Sequence, residues 1–170
     1  MGPPERKTPR EYSMQEIIEY QHQAAVSALT DIAALPDLSL AIQRRLWAAD
    51  NTFVTLALTH NPALHPALQD EMAHSRTAYL LAEGPYITQT AQNILIDNAF
   101  QDAESDRGLC LRRLIDNPVC THASRERIFA WTAQTGAFHW VSAIQSSERH
   151  GLYRDTPAAH QDEEYEMGDD

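Results

Sequence analysis

One four-residue motif occurs four times in this chain, and a repeat restricts the possible folds more than composition does. The motif is a proline, any residue, an apolar residue, and then Ser, Thr or His. Its copies are Pro36-Asp37-Leu38-Ser39, Pro62-Ala63-Leu64-His65, Pro85-Tyr86-Ile87-Thr88 and Pro118-Val119-Cys120-Thr121. Self-similarity at such a spacing is typical of repeat proteins, in which each repeat packs on its neighbours. The motif therefore predicts a repeat architecture.

The residues around each copy predict helix–turn–helix repeats. Four residues before each proline stands a leucine or isoleucine: Ile32, Leu58, Leu81 and Leu114. The last residue of the motif is placed to cap the next helix: Ser39, His65, Thr88 and Thr121. Residues three, seven and eight positions past the cap share one helical face and form the expected core. They are Ile42, Leu68, Ala91 and Ser124; Leu46, Met72, Leu95 and Ile128; and Trp47, Ala73, Ile96 and Phe129.

Further signals predict a helix on each side of the repeats. Ser13-Met14-Gln15-Glu16 matches the capping box that opens a helix, and Pro36 ends that helix. Apolar residues predict a capping helix near 137–149. We therefore expect an all-α fold, a short right-handed α-solenoid of about four repeats, in a domain over residues 13–150. Residues 97–106 are expected to form an acidic loop, residues 1–12 a disordered arm, and residues 151–170 an acidic, disordered tail.

The charge and the hydropathy pattern exclude several classes of protein. The net charge is −11, with 24 acidic and 13 basic residues. A protein that binds nucleic acid neutralises phosphates with Lys and Arg, so this balance argues against that role. No segment approaches the roughly 20 apolar residues that cross a bilayer, and the N-terminus has no apolar run typical of a secretory signal. We expect a cytoplasmic protein without a membrane anchor.

The middle of the chain is similar to a known repeat family. Three segments carry the likeness: Arg76-Thr-Ala-Tyr-Leu80-Leu-Ala-Glu-Gly-Pro85-Tyr-Ile-Thr88, Leu114-Ile-Asp-Asn117-Pro118-Val-Cys-Thr121 and Leu58-Thr-His-Asn61-Pro62. They resemble the bacterial leucine-rich repeat variant, an α-solenoid repeat of about two dozen residues. The resemblance covers roughly residues 28–130, and a HEAT-like stack of helix pairs is the near alternative. Either family implies binding of a partner and no reaction.

Motifs for catalysis and for metal binding are missing from the sequence. The six glycines are scattered and form no phosphate-binding loop, and no serine lies in a nucleophile elbow. Cys110, Cys120 and His122 do not have the spacing of a zinc site, and both cysteines fall on core positions. We therefore predict no catalytic residue, no metal and no cofactor.

Two features remain as candidate partner-binding sites. Four residues past each cap stand three glutamines and an arginine, which we expect to align as an exposed polar ridge: Gln43, Gln69, Gln92 and Arg125. A row of side-chain amides can hydrogen-bond the backbone of an extended peptide. The second feature is the acidic tail, whose candidate residues are Glu163, Glu164, Tyr165 and Glu166. Acidic runs with an aromatic residue dock on basic, partly apolar surfaces.

The sequence leaves two functions open. The first is a non-enzymatic protein–protein interaction module, such as a bacterial adaptor, chaperone or regulatory subunit, whose partner has a basic surface. The second is an acidic inhibitor that mimics nucleic acid and occupies an enzyme that handles DNA or RNA. Direct nucleic-acid binding is disfavoured by the net charge. The oligomeric state is left open.

Overall fold

The described part of the chain is entirely α-helical. The structure is a computed structural model, and it describes residues 13–101 and 106–136. These residues form eight helices and contain no strand, which confirms the all-α prediction for this part of the chain. The helices are α1 (Met14–Ala33), α2 (Leu40–Trp47), α3 (Thr52–Thr59), α4 (Pro66–Ala73), α5 (Ala78–Ala82), α6 (Gln89–Gln101), α7 (Asp106–Asp116) and α8 (His122–Thr135). The predicted arm, capping helix and acidic tail lie outside the described residues.

The first helix begins and ends where the sequence predicts. Ser13 Oγ accepts a hydrogen bond from Glu16 N at 3.2 Å, and the Glu16 carboxylate accepts one from Ser13 N at 2.9 Å. These two bonds complete the capping box, which satisfies amide groups that have no partner within the helix. The helix ends at Ala33, ahead of Pro36.

Each proline motif forms the same local structure, which we call a corner. Corners 1 to 4 are residues 36–39, 62–65, 85–88 and 118–121. In each one the proline and the residue after it form a turn, and the next helix starts directly after the fourth residue. The predicted caps are confirmed at all four corners. The backbone donors are Ile42 N to Ser39 Oγ at 3.4 Å, Ala67 N to His65 Nδ1 at 3.2 Å, Ala91 N to Thr88 Oγ1 at 3.1 Å and Ser124 N to Thr121 Oγ1 at 3.1 Å.

The chain divides into two compact units. Unit 1 is Met1–Leu68 and unit 2 is Gln69–Asp170, so the boundary falls within α4. In unit 1, α1 and α2 pack on α3. In unit 2, α5 and α6 pack on α7, and α6 also packs on α8. Each unit thus has its own helix packing around two of the corners.

Most of the predicted core is buried, with three corrections. Leu58, Leu81 and Leu114, which precede three of the prolines, are at most 1% exposed. By contrast, the prediction was wrong for three other residues: Ile32 is 39% exposed, Ile42 is 44% exposed and Phe129 is 46% exposed. These three belong to the first and last described repeats in chain order. In a solenoid of the predicted kind a terminal repeat would have a neighbour on one side only, so a position that is buried elsewhere would be open there.

The prediction of an acidic loop over residues 97–106 was also wrong in part. Helix α6 continues to Gln101, and α7 begins at Asp106. The apolar face of α6 extends into this segment, because Ala99 is fully buried and the Phe100 ring stacks on the Trp131 ring of α8 with centroids 4.6 Å apart. This packing keeps the segment helical where its composition alone favours a loop.

Candidate interaction site

The three glutamines of the predicted ridge each bind the next corner along the chain. We call each of these contacts a glutamine clasp. In each clasp the side-chain amide nitrogen donates to the carbonyl of the second corner residue, and the side-chain oxygen accepts from the amide of the fourth. The distances are 2.9 and 2.9 Å for Gln43 with Ala63 O and His65 N, 3.1 and 2.8 Å for Gln69 with Tyr86 O and Thr88 N, and 3.1 and 3.1 Å for Gln92 with Val119 O and Thr121 N.

The clasps correct the prediction of an exposed polar ridge. Gln43 and Gln92 are each 1% exposed and Gln69 is 2% exposed, so their amides lie in the interior. They do hydrogen-bond backbone groups, but those groups belong to the chain itself. A buried amide with both ends satisfied stabilises its surroundings, whereas a buried amide without partners is costly. The glutamines therefore fix the corners and present no exposed surface to another molecule.

The sequence held a signal for this burial. Each glutamine lies four residues past the cap, and two core positions lie seven and eight residues past it. The glutamine is therefore three and four residues before these core positions, as Gln92 is before Leu95 and Ile96. Residues three and four apart lie on the same helical face. The glutamine position is therefore one turn before buried residues on the same side, and only the polar side chain suggested exposure.

Arg125, the fourth member of the predicted ridge, is buried too. It is 8% exposed on α8, and its charge lies close enough to Cys120 to act on that thiol. Burial raises the pKa of Cys120 from 9.0 to about 12, and the Arg125 charge lowers it only in part. The Cys120 thiol is therefore protonated at neutral pH, which makes it unsuited to act as a nucleophile or a metal ligand.

Two asparagines make a second type of contact that the sequence analysis did not assign. Asn61 Nδ2 donates to Ala33 O and Leu35 O, both at 2.8 Å, and Asn117 Nδ2 donates in the same way to Ala82 O at 2.8 Å and Gly84 O at 3.0 Å. The side-chain oxygen of each accepts from the amide two residues on, Ala63 N and Val119 N respectively. Each asparagine thus ties its own corner to the end of an earlier helix in the same unit. The Asn-Pro pair at corners 2 and 4 was the available signal.

Polar side chains also join α6 to α8. Thr121 Oγ1 donates to Gln89 Oε1 at 2.6 Å, and Ser124 Oγ donates to the Gln92 amide oxygen at 2.7 Å. Farther along, the Arg127 guanidinium donates to Asn93 Oδ1 at 2.9 Å and to Asp97 Oδ1 at 2.5 Å. These side chains hold one another, so they serve the packing of the two helices.

The described residues do not bring together a group of metal-ligating side chains. Within residues 13–101 and 106–136, no group of three or more His, Cys, Asp or Glu side chains is placed to hold a metal ion. Cys110 and Cys120 are buried and form no disulfide, while His122 is exposed and lies 3.7 Å from Glu126. The three residues singled out as a conceivable zinc set therefore have different environments.

Exposed apolar side chains are concentrated in unit 1. Of twelve large hydrophobic residues that are exposed among the described residues, nine lie in unit 1 and three in unit 2. The nine are Met14, Ile17, Ile18, Tyr20, Ile32, Leu35, Ile42, Phe53 and Leu56. On α3, Phe53 is 67% exposed and Leu56 is 36% exposed, and the spacing of three places them side by side. We call this pair the α3 face. The remaining candidates, Glu163, Glu164, Tyr165 and Glu166, lie outside the described residues.

None of the helices in the described ranges is both long and apolar enough to cross a membrane. Comparison of the chain with protein-family models, with curated proteins and with solved structures finds no match.

Proposed function

We propose that this chain is a non-enzymatic α-solenoid module that binds another protein. The repeat is of the type found in the bacterial leucine-rich repeat variant or in HEAT-like stacks. The corners support this proposal, because all four have the same turn and cap and the three glutamines bind the next corner in the same way. Helical-repeat proteins with no catalytic constellation serve as binding surfaces. The two buried cysteines form no disulfide, which suits a cytoplasmic protein.

The proposal rests on the exposure of the two apolar side chains of the α3 face. Helix α3 buries Val54, Thr55, Leu58 and Thr59 on one side. Phe53 and Leu56 stand on the other side, and the Phe53 ring is two-thirds exposed, at 67%. Exposed aromatic side chains next to aliphatic ones are common at the centres of protein interfaces, where they fill pockets in the partner.

Charge indicates the kind of partner. The described residues of unit 1 contain five carboxylates (Glu16, Glu19, Asp31, Asp37 and Asp50) and two arginines (Arg44 and Arg45). The whole chain carries a net charge of −11. An acidic protein with an exposed apolar pair is complementary to a basic surface with an apolar pocket. The proposed partner is therefore a protein with a basic, partly apolar surface.

The proposal is tested by affinity capture with matched surface variants. Phe53→Glu removes the aromatic anchor of the α3 face, whereas Phe129→Glu makes the same change at a residue that is 46% exposed in unit 2. A specific partner should bind the native chain and the Phe129→Glu variant and should be lost with Phe53→Glu. A version without residues 155–170 tests the acidic tail in the same experiment. Capture of the same proteins by all variants, or turnover of a metabolite by the pure protein, would contradict the proposal.

The acidic mimic of nucleic acid stays the second candidate. Such an inhibitor needs carboxylates that are free to replace phosphates. In unit 2, however, Asp97 pairs with Arg127, Glu83 with Arg113 and Asp116 with Arg112. The salt dependence of binding separates the two functions. Binding to a mimic's target should collapse between low and physiological salt and be competed by DNA. Binding through the α3 face should weaken less with salt, because part of it is apolar, and should be lost with Phe53→Glu.

A further inference from the structure

Helix α1 has a second apolar side that nothing in the described chain covers. The helix faces the rest of unit 1 with Ala33, which is buried, and with Val26, Leu29 and Thr30, which are half-buried. A different set of residues recurs in steps of four and three along the whole helix and is exposed throughout. This set, which we call the α1 stripe, is Met14, Ile18, Gln21, Ala25, Ala28 and Ile32.

The spacing of the α1 stripe is that of a coiled-coil seam. Alternating steps of four and three place side chains along one line of a helix that pairs with another helix. Met14 is 72% exposed, Ile18 is 51% exposed and Ile32 is 39% exposed, although all three are large and apolar. Ile17 and Ala24, also exposed, widen the stripe on one flank.

The N-terminal half of α1 packs on little of the described chain. Every residue from Met14 to Ala25 is exposed except Glu16, which takes part in the capping box and is half-buried. Isolated helices shorter than about 12–15 residues are marginal in water, because helix stability in proteins comes mainly from packing of an apolar face. Burial of the α1 stripe would supply that packing.

We propose that the α1 stripe is the seam of a homodimer, in which α1 pairs antiparallel with α1 of a second copy. In the register that places stripe residues opposite one another, Ile18 lies opposite Ala28 of the second copy and Gln21 lies opposite Ala25. Met14 lies opposite Ile32 at both ends. The alanines make room for the larger side chains, so every layer is filled. In the parallel orientation alanine would face alanine, which leaves voids.

Charge favours the same orientation. Each copy of α1 carries Glu16 and Glu19 in its N-terminal half and Asp31 near its C-terminus. Antiparallel pairing spreads these six carboxylates evenly over the two ends, whereas parallel pairing gathers four at one end. The helix dipoles also oppose each other in the antiparallel pair, which is the favourable arrangement.

The area of the stripe suits a weak dimer. A large aliphatic side chain contributes roughly 60–120 Å² of apolar surface, so the stripe and its flank offer on the order of 500 Å² per copy. The total of about 1,000 Å² is at the lower limit for a specific interface. We therefore expect a dissociation constant between about 1 µM and about 100 µM. This surface is separate from the α3 face, so dimerisation and partner binding can fail independently.

Sedimentation equilibrium of the full chain at protein concentrations from about 1 µM to about 100 µM tests the proposed dimer. The native chain should shift from monomer to dimer over this range. Ile18→Glu and Ala25→Glu each place two carboxylates in the seam and should weaken the dimer at least about tenfold. Tyr20→Glu is the matched control, because Tyr20 is 74% exposed on the same helix but lies off the stripe; it should change the constant less than about twofold. A monomer at every concentration, or an equal loss with Tyr20→Glu, overturns the proposal.

Engineered cysteines test the orientation. The double variant Gln21→Cys with Ala25→Cys should form a disulfide-linked dimer under mild oxidation, since these positions face each other in the antiparallel register. Met14→Cys alone should not, because the two copies of residue 14 are then separated by about 27 Å along the pair. Cys110 and Cys120 are buried, so the native chain is the blank. Cross-linking through Met14→Cys overturns the antiparallel arrangement, because a parallel pair places residue 14 opposite residue 14 and cross-links through both variants.

Discussion

The two units are built from the same corners but differ in how much apolar surface they bury. Unit 1 has 56 described residues (13–68) and six buried hydrophobic side chains; unit 2 has 64 (69–101 and 106–136) and seventeen. Exposed large hydrophobic residues show the opposite distribution, nine against three. Each unit nevertheless has its glutamine clasp, its asparagine contact and its capped helices. The corner motif therefore sets local geometry, and the extent of the core is set by what packs around it.

The difference has a consequence for function. A unit that leaves apolar side chains on its surface is the unit whose surface another molecule is most suited to cover. The α1 stripe and the α3 face both belong to unit 1. Unit 2 covers its own apolar surface with helices α5 to α8 and joins α6 to α8 with polar side chains. We therefore propose that recognition lies in unit 1, and the following predictions test the difference between the units.

The largest contrast is expected at the position four residues before the proline. Leu114 in unit 2 is 0% exposed, and Ile32 in unit 1 is 39% exposed. Leu114→Ala should lower the free energy of unfolding by about 3 kcal/mol, because it removes buried contacts and leaves a cavity. Ile32→Ala should lower it by less than about 1 kcal/mol. Urea titrations followed by circular dichroism at low protein concentration measure both. Equal losses in the free energy of unfolding would show that the two units bury this position to the same extent.

The glutamine clasps should matter in both units. Gln92→Met and Gln43→Met keep the size of the side chain and remove its hydrogen bonds. Each variant leaves buried backbone groups of a corner without their partner, so each should cost about 2–3 kcal/mol. Gln134→Met, at an exposed position of α8, is the control and should be neutral. Hydrogen exchange should rise at corner 2 for the Gln43 variant and at corner 4 for the Gln92 variant. If either corner kept its protection, the clasp would not hold it.

The structural features that the sequence predicts correctly depend on residues that are close together in the chain. The caps at Ser13, Ser39, Thr88 and Thr121 were predictable because a cap bonds an amide three residues away. The position of each helix start relative to its proline follows for the same reason. These features account for the helices and the corners, which is most of the fold of the described residues.

The contacts that the sequence does not predict join residues that are far apart in the chain. Gln43 accepts from His65, 22 residues on, and Asn117 donates to Ala82, 35 residues back. No local pattern states that these groups meet, so the glutamines were interpreted as exposed. The exposure of Ile32 and Phe129 was missed because the matching positions of other copies are buried, as Leu81 and Ile96 are. Burial thus differs between copies at positions of similar residue type, so residue type alone does not predict it.

Unit 2 holds both cysteines, so alkaline sensitivity should be confined to it. The pKa of Cys120 rises from 9.0 to about 12 on folding, which means that the folded state favours the protonated thiol. The stabilisation is complete below about pH 9 and is lost as the pH rises toward 12. The native chain should therefore lose on the order of 1–2 kcal/mol of stability between pH 8 and pH 10.5 through this group. Cys120→Ala should lack this loss, which denaturant titrations at the two pH values measure.

Cys110→Ala is the control for that experiment. It removes the other buried thiol of unit 2 and leaves Cys120 in place, so the alkaline loss should persist. A loss that is the same in the native chain and in Cys120→Ala would mean that other groups of the protein cause it.

The smallest contrast is expected between two helix caps. Thr121 Oγ1 accepts from Ser124 N at 3.1 Å and also donates to Gln89 Oε1 at 2.6 Å, so it links the start of α8 to α6. Ser39 Oγ accepts from Ile42 N at 3.4 Å at the start of α2. Thr121→Ala should therefore cost about 1.5–2 kcal/mol and Ser39→Ala about 0.5 kcal/mol, the two ends of the range for caps. Thr121→Ser keeps the hydroxyl and should recover most of the loss in thermal unfolding. If Ser39→Ala lowered the stability as much as Thr121→Ala, the bond of Thr121 to Gln89 would add nothing to its cap. Unit 1 would then depend on its caps as strongly as unit 2 does.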